Sequence, residues 1–581
     1  MLLRGWIVAV TLVSATADFA WLLHRPQSNS VVVRWSSSLS TIRCAAVPVE
    51  GGVGFDSLNS TTYKGSSISY NVSGFASLPL WSTGLRGLDP GVRNACRLPD
   101  GSVFTFRALG VPQGSEPLPH NLFIVGDIGR TVHSTAVIGA MTSHLQLLGA
   151  APPPLHAPDA PPTASASVIL LGDLSYADGT PAGWDVWQRL MSPLLSSVPA
   201  TVVPGNHDVV RGDDTRAYEA RFSGDDAGSA ANASRGDKDV ATEGCLLQSQ
   251  IRGGLSGGRS LAAMPLPHLA RPGYWDALVA PPFHVIYLCV YELCTREEQA
   301  APGGRTHSAD ESSEPSPLGP SQSAWLEQEL ACRVNRTLTP FLVVALHPPL
   351  YHASASHIGE ALTSRVREWL EPLLLRWRVD AVVGGHEHTF EVTAPMAFGT
   401  PVPTCEGGIT HVTVGTGGAF GGGLFDAWVQ PRPLWADREG AAWYGYATLE
   451  AVAHPLHSAV PARLTYWQVK RTGEDGSAPM ATVEYASNIS SHANTCDSHD
   501  ASMQHSSLAG TAKTWEPTKQ RGMKHALRDA IRGLAALLVT AAAVAVITLR
   551  CHGAAALRSG TSRSTAPADL EGQLGAPPLA A

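Results

Sequence analysis

The sequence predicts an α/β fold that follows a small all-β unit. The main observation is a set of five short apolar runs bounded by glycine and proline, a pattern typical of buried strands. The runs begin at Leu122, Val168, Thr201, Phe341 and Ala381. Each run leads within a few residues to a side chain that can bind a metal ion. Because open α/β sheets bind their ligands beyond the carboxyl ends of the strands, we expect these side chains to share one cleft.

The length and charge of the chain limit the number of folded units and the kinds of partner that we expect. At 581 residues the chain is too long for one compact core, so we expect two or more units. The formal net charge is -8, and no long run of like charge is present. A nucleic-acid-binding protein usually carries a clustered basic face, so the charge pattern argues against a nucleic-acid partner. The sequence leaves the oligomeric state open, and a homodimer is one possibility.

Residues 1–20 have the pattern of a secretory signal peptide. Arg4 supplies a basic start, an apolar stretch runs from Trp6 to Ala15, and Ala15-Thr16-Ala17 has the small-x-small pattern of a cleavage site. An uncleaved anchor is the alternative interpretation. Both interpretations predict that the bulk of the chain is translocated.

The body of the chain divides into two predicted folded units. Residues 28–115 predict an all-β unit, with alternating or β-branched runs such as Val31 to Trp35 separated by Gly, Ser and Asn. Residues 119–490 predict the catalytic unit. Three stretches within it, 151–166, 223–258 and 300–323, are rich in residues such as Pro, Gly and Ser and predict mobile surface insertions. Residues 491–532 are polar and predict a stalk.

A membrane-spanning helix is predicted near the C-terminus. The 17 residues from Gly533 to Leu549 carry no charge and are flanked by Arg532 and Arg550, a length at the short end for a span. Residues 550–581 would then be a cytoplasmic tail. More Lys and Arg precede the span than follow it, which argues for the opposite orientation. We give priority to the signal peptide, because it commits the large unit to translocation before the span emerges.

Two further features predict export. Eight of the nine cysteines precede the span, so up to four disulfides are possible in an oxidising compartment. Pairing cannot be read from the sequence, although a Cys44–Cys96 bond would close the N-terminal unit. Five Asn-x-Ser/Thr sequons predict a glycoprotein: Asn59, Asn71, Asn232, Asn335 and Asn488. We therefore expect a single-pass membrane protein of the cell surface or a lysosome-like acidic compartment, with its catalytic unit outside the cytoplasm.

The side chains that follow the five runs are those of a two-metal hydrolytic site. Such a site needs one carboxylate that bridges both ions, several N or O donors for each ion, and an open position for water and substrate. Imidazole and carboxylate suit iron, zinc or manganese, and the absence of nearby cysteine argues against a thiolate site. We expect Gly384 and Gly385 to permit the bend that turns both nearby histidines to one cleft. The candidate ligands are Asp127, Asp173, Asn206, His347, His386 and His388.

Five sequence blocks resemble the calcineurin-like metallophosphoesterase superfamily. In chain order they are Gly-Asp-x-Gly from 126, Gly-Asp-x-x-Tyr from 172, Gly-Asn-His-Asp from 205, His-x-Pro from 347 and Gly-His-x-His from 385. Tyr176 narrows the resemblance to the purple acid phosphatases, in which a tyrosinate at this place binds a ferric ion and gives the colour. The resemblance implies a four-layer α/β/β/α sandwich preceded by a fibronectin type III-like domain.

The same resemblance implies how the ligands divide between two ions. Asp173 would bridge the two ions. The ferric ion would be bound by Asp127, Asp173, Tyr176 and His388. A divalent ion, zinc, manganese or iron, would be bound by Asp173, Asn206, His347 and His386. A ferric ion lowers the pKa of bound water and would supply hydroxide even in acid.

Three further residues are candidates for direct roles in the reaction. His207 would contact the substrate phosphoryl group or protonate the leaving alkoxide, and Asp208 would orient it. His357 would contact the phosphate or the leaving group. In many members of the family another histidine precedes this one, whereas this chain has Ser356. This difference leaves open which residue is the acid.

The function implied is that of a membrane-anchored acid phosphatase. A metal-bound hydroxide would attack a phosphate monoester in line with the leaving group, without a covalent phosphoenzyme. One alternative is a binuclear phosphodiesterase or nucleotidase on the same scaffold, against which Tyr176 and the N-terminal β unit argue. The other is a surface receptor with a catalytically dead phosphatase fold, which is disfavoured because no ligand is missing.

Overall fold

A computed structural model describes most of the chain from residue 18 to residue 492. The described residues are 18–24, 30–48, 53–72, 74–110, 118–159, 161–209, 212–223, 270–292, 294, 317–419, 428–439, 444–452, 461–470 and 480–492. Residues 1–17, the greater part of two expected insertions, most of the expected stalk, the expected span at 533–549 and the tail at 550–581 lie outside the described residues. Within the described ranges, none of the helices has the length and hydrophobicity of a membrane span.

The N-terminal region consists of short strands. They are β1 (Phe19–His24), β2 (Val31–Ser36), β3 (Thr41–Ala46), β4 (Thr61–Lys64), β5 (Ser66–Ile68), β6 (Asn71–Val72), β7 (Phe75–Ala76), β8 (Leu80–Leu85), β9 (Arg93–Arg97) and β10 (Val103–Arg107). Strands β1, β2, β8 and β5 lie side by side in one sheet, and β10, β9, β3 and β4 form a second. The all-β character predicted for this region is therefore confirmed. It begins earlier than expected, because Phe19 and Ala20 already belong to β1.

A separate apolar core holds these two sheets together. Trp35 and Phe106 are fully buried at its centre, with alternate residues of β1 and β2 packed around them. The Cys44–Cys96 disulfide that the sequence suggested joins β3 to β9 inside this core. This unit therefore has its own hydrophobic core and its own covalent cross-link.

The first half of the catalytic unit alternates strands and helices. Its elements are β11 (Pro119–Val125), α1 (Val132–Leu147), β12 (Ser165–Leu170), α2 (Ala182–Leu195), β13 (Ala200–Val202), α3 (Asn206–Val209) and α4 (Gly212–Phe222). The three strands pair in parallel. Helix α1 begins at a capping box, in which Thr131 Oγ1 accepts a hydrogen bond from Ser134 N and Ser134 Oγ accepts one from Thr131 N.

The second half supplies the other sheet and returns to the first. Its elements are β14 (Asp276–Ala280), β15 (Phe283–Tyr287), α5 (Pro320–Cys332), β16 (Phe341–Ala345), α6 (Ala361–Arg376), β17 (Ala381–Gly384), β18 (Phe390–Thr393), β19 (Met396–Ala397), β20 (Thr400–Pro401), β21 (Thr410–Val414), β22 (Ala436–Glu439), β23 (Gly445–Val452), β24 (Ala462–Lys470) and β25 (Met480–Ile489). Strands β15, β16, β17 and β21 pair in parallel. A second disulfide joins Cys289 to Cys294, and Cys332 and Cys405 are also disulfide-bonded.

The two large sheets face each other, with helices outside them. The ten-stranded sheet runs β25-β24-β23-β11-β12-β13-β1-β2-β8-β5, and the seven-stranded sheet runs β14-β15-β16-β17-β21-β18-β22. Side chains alternate along the strands: Leu122 and Ile124 enter the core between the sheets, whereas Phe123 and Val125 pack in the helix-side core. On β16, Val343 likewise enters the core between the sheets, and Leu342 packs in the helix-side core. The predicted four-layer α/β/β/α sandwich is confirmed.

The N-terminal unit is joined to the catalytic unit through the ten-stranded sheet. Strand β1 pairs in parallel with β13, with Leu23 opposite Ala200. The stretch from 151, expected to be a mobile insertion, packs against the N-terminal unit in its described part. There Arg93 donates to the carbonyl oxygens of Pro153 and Pro154, and Arg107 pairs with Asp159. Composition alone did not reveal these contacts, because the two arginines come from a different unit.

All five apolar runs are buried parallel strands, β11, β12, β13, β16 and β17. The loops that follow them contact one another: Asp127 N donates to Gly172 O at 3.0 Å, and His347 Nδ1 lies 2.5 Å from Leu171 O. The first residues of the expected stalk still pack on the catalytic unit: Ser491 Oγ donates to Pro340 O, and His492 N donates to Asp380 Oδ1 at 2.7 Å.

Candidate metal centre

The loops after the five strands place the predicted ligands in unusual backbone conformations. Asp127, Asp173, Tyr176 and His386 have φ values of 57°, 49°, 48° and 68°. Non-glycine residues rarely occupy this left-handed region, and strain of this kind clusters at functional sites. The bend after β17 therefore lies at His386 itself. Gly385 supplies space instead, because a Cβ there would lie 2.6 Å from Asp127 Oδ2.

One group of ligand atoms surrounds a single point. Tyr176 Oη lies 3.0 Å from Asp127 Oδ1 and 2.9 Å from His388 Nε2, and His388 Nε2 lies 3.3 Å from Asp127 Oδ1. Ligands at right angles on an ion with bonds of about 2.1 Å are about 3.0 Å apart. The three atoms therefore have the spacing that one shared ion requires, and phenolate, carboxylate and imidazole form a donor set that suits iron.

A second group lies next to the first. Donor atoms of Asp173, His347 and His386 lie within 4.8 Å of one another, and all three residues are buried. His347 Nδ1 lies 2.5 Å from the carbonyl oxygen of Leu171, which fixes the ring by its outer nitrogen. His347 Nε2 is buried without a hydrogen-bond partner and lies 3.4 Å from Asp173 Oδ2. A bound cation would satisfy this nitrogen, so the group fits a second ion.

Backbone groups hold both aspartates in place. Asp127 Oδ2 accepts a hydrogen bond of 2.8 Å from His386 N, and Asp173 Oδ1 accepts one of 2.8 Å from His207 N. A Cβ at Gly205 would overlap the Asp173 carboxylate, so this position requires glycine. Asn206 lies between Gly205 and His207 at the start of α3, and its Oδ1 accepts from Tyr291 Oη at 3.5 Å. Backbone hydrogen bonds and close packing thus fix the two aspartates, and Asn206 lies on the loop that packs against Asp173.

Electrostatics at the site favour bound cations. Burial, and then the negative charge of Asp127 and Asp173, raises the pKa of Tyr176 well above its ordinary value. Burial also acts to raise the pKa of Asp173, but the positive charge of the adjacent His347 outweighs it and lowers that pKa. Burial lowers the pKa of His347, and Asp173 more than reverses this, to about 10. A cation at the site would offset the cost of these buried carboxylates and favour the phenolate of Tyr176.

His207 has a different carboxylate partner from the one predicted. His207 Nδ1 lies 2.6 Å from Asp178 Oδ1, and both side chains are partly exposed. Asp208 is fully buried and its carboxylate accepts hydrogen bonds from Leu174 N at 3.0 Å and Gly205 N at 2.9 Å. The orienting role that we predicted for Asp208 therefore falls to Asp178. Helix α3 directs the Asp208 side chain into the protein. There its hydrogen bonds with Leu174 N and Gly205 N connect the loop of Asp173 to the loop of Asn206.

His357 lies beside the second group of ligands. Its ring stacks on that of His386, with centroids 4.2 Å apart, and its Nδ1 lies 2.7 Å from Glu387 Oε1. Glu360 Oε2 lies 3.2 Å from His386 Nε2. Sequence reasoning did not identify Asp178, Glu360 or Glu387. A carboxylate two residues after Tyr176, and another between two predicted ligands, are the signals that could have found Asp178 and Glu387.

Comparisons with known proteins agree with this geometry. The sequence profile of the calcineurin-like phosphoesterase family matches residues 120–390. The chain is 26% identical over 365 residues to purple acid phosphatase 23 of Arabidopsis thaliana, an alignment that covers 57% of this chain and 61% of that protein. It is 24% identical over 360 residues to the Fe(3+)-Zn(2+) purple acid phosphatase 12 of the same plant, covering 60% and 61% of the two chains. The chain thus spans about three fifths of the length of these relatives.

A solved structure shares the fold. The purple acid phosphatase PPD1 of yellow lupin, Lupinus luteus, superposes with a TM-score of 0.54 at 16% identity, covering 87% of this chain and 79% of that one. At this identity the match supports the arrangement of sheets and helices.

Proposed function

We propose that this protein is an acid phosphatase that hydrolyses phosphate monoesters. The match of residues 120–390 to the calcineurin-like phosphoesterase family and the similarity to purple acid phosphatases support this proposal. The observation that carries the proposal is the convergence of six of the seven predicted ligands on two adjacent groups of donor atoms. A structural role for so many strained and buried polar residues would not require this arrangement.

The two groups fit an Fe(3+) ion and a divalent ion. Asp127, Tyr176 and His388 would bind the ferric ion, Asn206, His347 and His386 would bind zinc, manganese or iron, and Asp173 would bridge them. The name of the Arabidopsis Fe(3+)-Zn(2+) relative supports this pairing. When bound, the two ions would supply Lewis acidity and an activated hydroxide nucleophile.

The remaining residues would bind the substrate and move a proton. With Nδ1 of His207 bonded to Asp178 and Nδ1 of His357 bonded to Glu387, the Nε2 atoms are the nitrogens that would contact the phosphoryl and leaving-group oxygens. A proton donated from one of these atoms would neutralise the leaving alkoxide as its bond to phosphorus breaks. Asp208 would act on the substrate only through the loops it joins.

The experiment uses the full chain, purified and analysed for metal. We expect two metal ions per chain, visible absorption, and release of phosphate from p-nitrophenyl phosphate near pH 5. Asp173→Asn should reduce kcat by at least about 10³-fold, because both ions would lose a shared ligand. A chain that holds two ions and cleaves only bis(p-nitrophenyl) phosphate would instead be a phosphodiesterase. A chain that cleaves neither ester would support the receptor interpretation.

We further propose that the chain is exported, glycosylated and anchored by the span at 533–549, with its catalytic unit facing the lumen or the cell exterior. Four of the five sequon asparagines lie in the described ranges, and all four are exposed: Asn59, Asn71, Asn335 and Asn488. The disulfides support an oxidising compartment. Removal of N-glycans should increase the mobility of the expressed chain in gels, and intact membranes should protect the catalytic unit from added protease. Cleavage of that unit in intact vesicles of the secretory pathway would contradict the orientation.

A further inference from the structure

Glu387 is a buried carboxylate between two predicted ligands, His386 and His388. Its side chain is 1% exposed. Glu387 Oε1 lies 2.7 Å from Nδ1 of His357 and 3.6 Å from Nδ1 of His352. Burying a carboxylate is costly unless cationic or hydrogen-bonding groups surround it, and here the imidazole of His357 and the hydroxyl of Ser354 are hydrogen-bonded to it.

The backbone that carries Glu387 is held firmly. Gly385 N donates to His347 O at 2.7 Å, and Glu387 N donates to Gly385 O at 2.8 Å. A Cβ at Gly415 would overlap the carbonyl group of Glu387, so the neighbouring strand end presses closely against it. The carboxylate is therefore attached to a rigid part of the site, which is the requirement for placing another side chain accurately.

His357 itself lies on a more exposed segment. Its side chain is 41% exposed, and the segment before it is rich in Ser and Ala. Its Nδ1 is hydrogen-bonded to Glu387, and its ring stacks on that of His386. The hydrogen bond at Nδ1 directs the other ring nitrogen, Nε2, away from Glu387.

The other imidazole at the site is held differently. The partner of His207 is Asp178, whose side chain is 31% exposed. Water and salt weaken an ion pair at that exposure, whereas Glu387 is shielded from solvent. We therefore expect the Glu387 carboxylate to hold His357 more firmly than the Asp178 carboxylate holds His207.

Resting on the proposed phosphatase function, we propose that Glu387 is a positioning residue that holds His357 as the proton donor to the leaving group. In this step an oxygen derived from water bonds to phosphorus, and the ester P–O bond breaks. The proton on His357 Nε2 passes to the leaving oxygen, giving an alcohol and inorganic phosphate. His357 is left neutral and regains its proton from solvent, which also takes the proton lost by the water.

The test compares two esters in the full chain loaded with metal. Glu387→Gln should lower kcat about 10²-fold on glycerol 2-phosphate, whose alkoxide needs a proton in order to leave. It should lower kcat at most about threefold on p-nitrophenyl phosphate, whose phenolate leaves without one. His357→Ala should show the same pattern, and the double variant should lose no more than either single variant. Glu387→Asp should recover part of the loss.

A matched control separates positioning from general stability. Glu371 is also a buried glutamate, and it accepts hydrogen bonds from Tyr351 Oη at 2.7 Å and Phe398 N at 3.0 Å. Glu371→Gln should affect both esters equally. Equal losses on both esters for Glu387→Gln, or losses that multiply in the double variant, would overturn the proposal. Loss of bound metal in Glu387→Gln would also overturn it, because Glu387 would then support the ligands.

A spectroscopic measurement keeps this proposal separate from the proposed function. In the metal-free chain labelled with ¹⁵N-histidine, the Nδ1 proton of His357 should give a downfield resonance, assigned by its loss in His357→Ala. This resonance should also vanish in Glu387→Gln. If the resonance is present and the metal-loaded chain cleaves no phosphate ester, the phosphatase function is wrong and the contact stands. If it is absent from the unmodified chain, Glu387 does not position His357.

Discussion

Asp276 is a buried carboxyl group whose ionisation should make the folded chain less stable as the pH rises. It lies at the start of β14 and is 4% exposed. Burial raises its pKa from 3.8 to about 7, helped by the charge of Glu329 and opposed by hydrogen bonds from Ala277 N and Tyr287 and by the charge of Arg333. Between these two values the folded chain keeps a proton that the unfolded chain has lost, so stability falls across this window.

The magnitude follows from the difference between the two pKa values. At about 1.4 kcal/mol per pKa unit, the interval from 3.8 to about 7 is worth at most about 4 kcal/mol, and the full loss is reached above the higher value. Asp276→Asn stays neutral and can still accept the hydrogen bond from Ala277 N. The free energy of unfolding of Asp276→Asn, relative to that of the unmodified chain, should therefore grow by roughly 2 to 3 kcal/mol between pH 5 and pH 8.

The assay is urea unfolding of both chains at pH 5 and pH 8. Asp89→Asn, on an exposed turn, is the control and should leave both curves unchanged. Other buried groups that titrate contribute equally to the two chains and cancel in the comparison. If the gap between Asp276→Asn and the unmodified chain is the same at both pH values, burial does not raise the pKa of Asp276 as argued.

Three further outcomes are expected. Tyr176→Phe should abolish the visible absorption of the purified chain, because the phenolate proposed to bind the ferric ion is gone; an unchanged spectrum would contradict the ligand assignment. Replacing Arg221 with methionine should destabilise the chain by about 3 kcal/mol in urea unfolding, because Asp185 would lose its buried partner; a change below about 1 kcal/mol would refute this. Replacing Cys44 and Cys96 with alanine should cost about 4 kcal/mol by chain-entropy arguments for a separation of 52 residues, measured as a lower unfolding midpoint, and an unchanged midpoint would show that the cross-link is redundant.

The strands and the ligands could be predicted because both are local signals. An apolar run such as Val168 to Leu171 predicts a buried strand, and Asp173 follows it after a single glycine. The contacts between loops could not be predicted from the sequence. Asp178 and Asp208 are both carboxylates near His207, and only the left-handed backbone at Asp178 and the inward turn of α3 decide which one meets the imidazole.

The attachment of the N-terminal unit could not be predicted for a related reason. Pairing between Leu23 and Ala200 joins residues far apart in the chain, and the sequence of neither strand specifies which strand lies beside it. Likewise, proline-rich residues after Ala151 have the composition of a mobile insertion until Arg93 and Arg107 bind their carbonyl and carboxylate groups. Long-range hydrogen bonds of this kind depend on the assembled fold.

The pairing of β1 with β13 means that the N-terminal unit protects an otherwise bare strand. A chain shortened to begin at Pro119 would uncover the edge of the three-residue strand β13, and exposed strand edges promote aggregation by pairing with other chains. The N-terminal unit is thus an integral part of the ten-stranded sheet. Deleting it should yield aggregated protein instead of a smaller active enzyme.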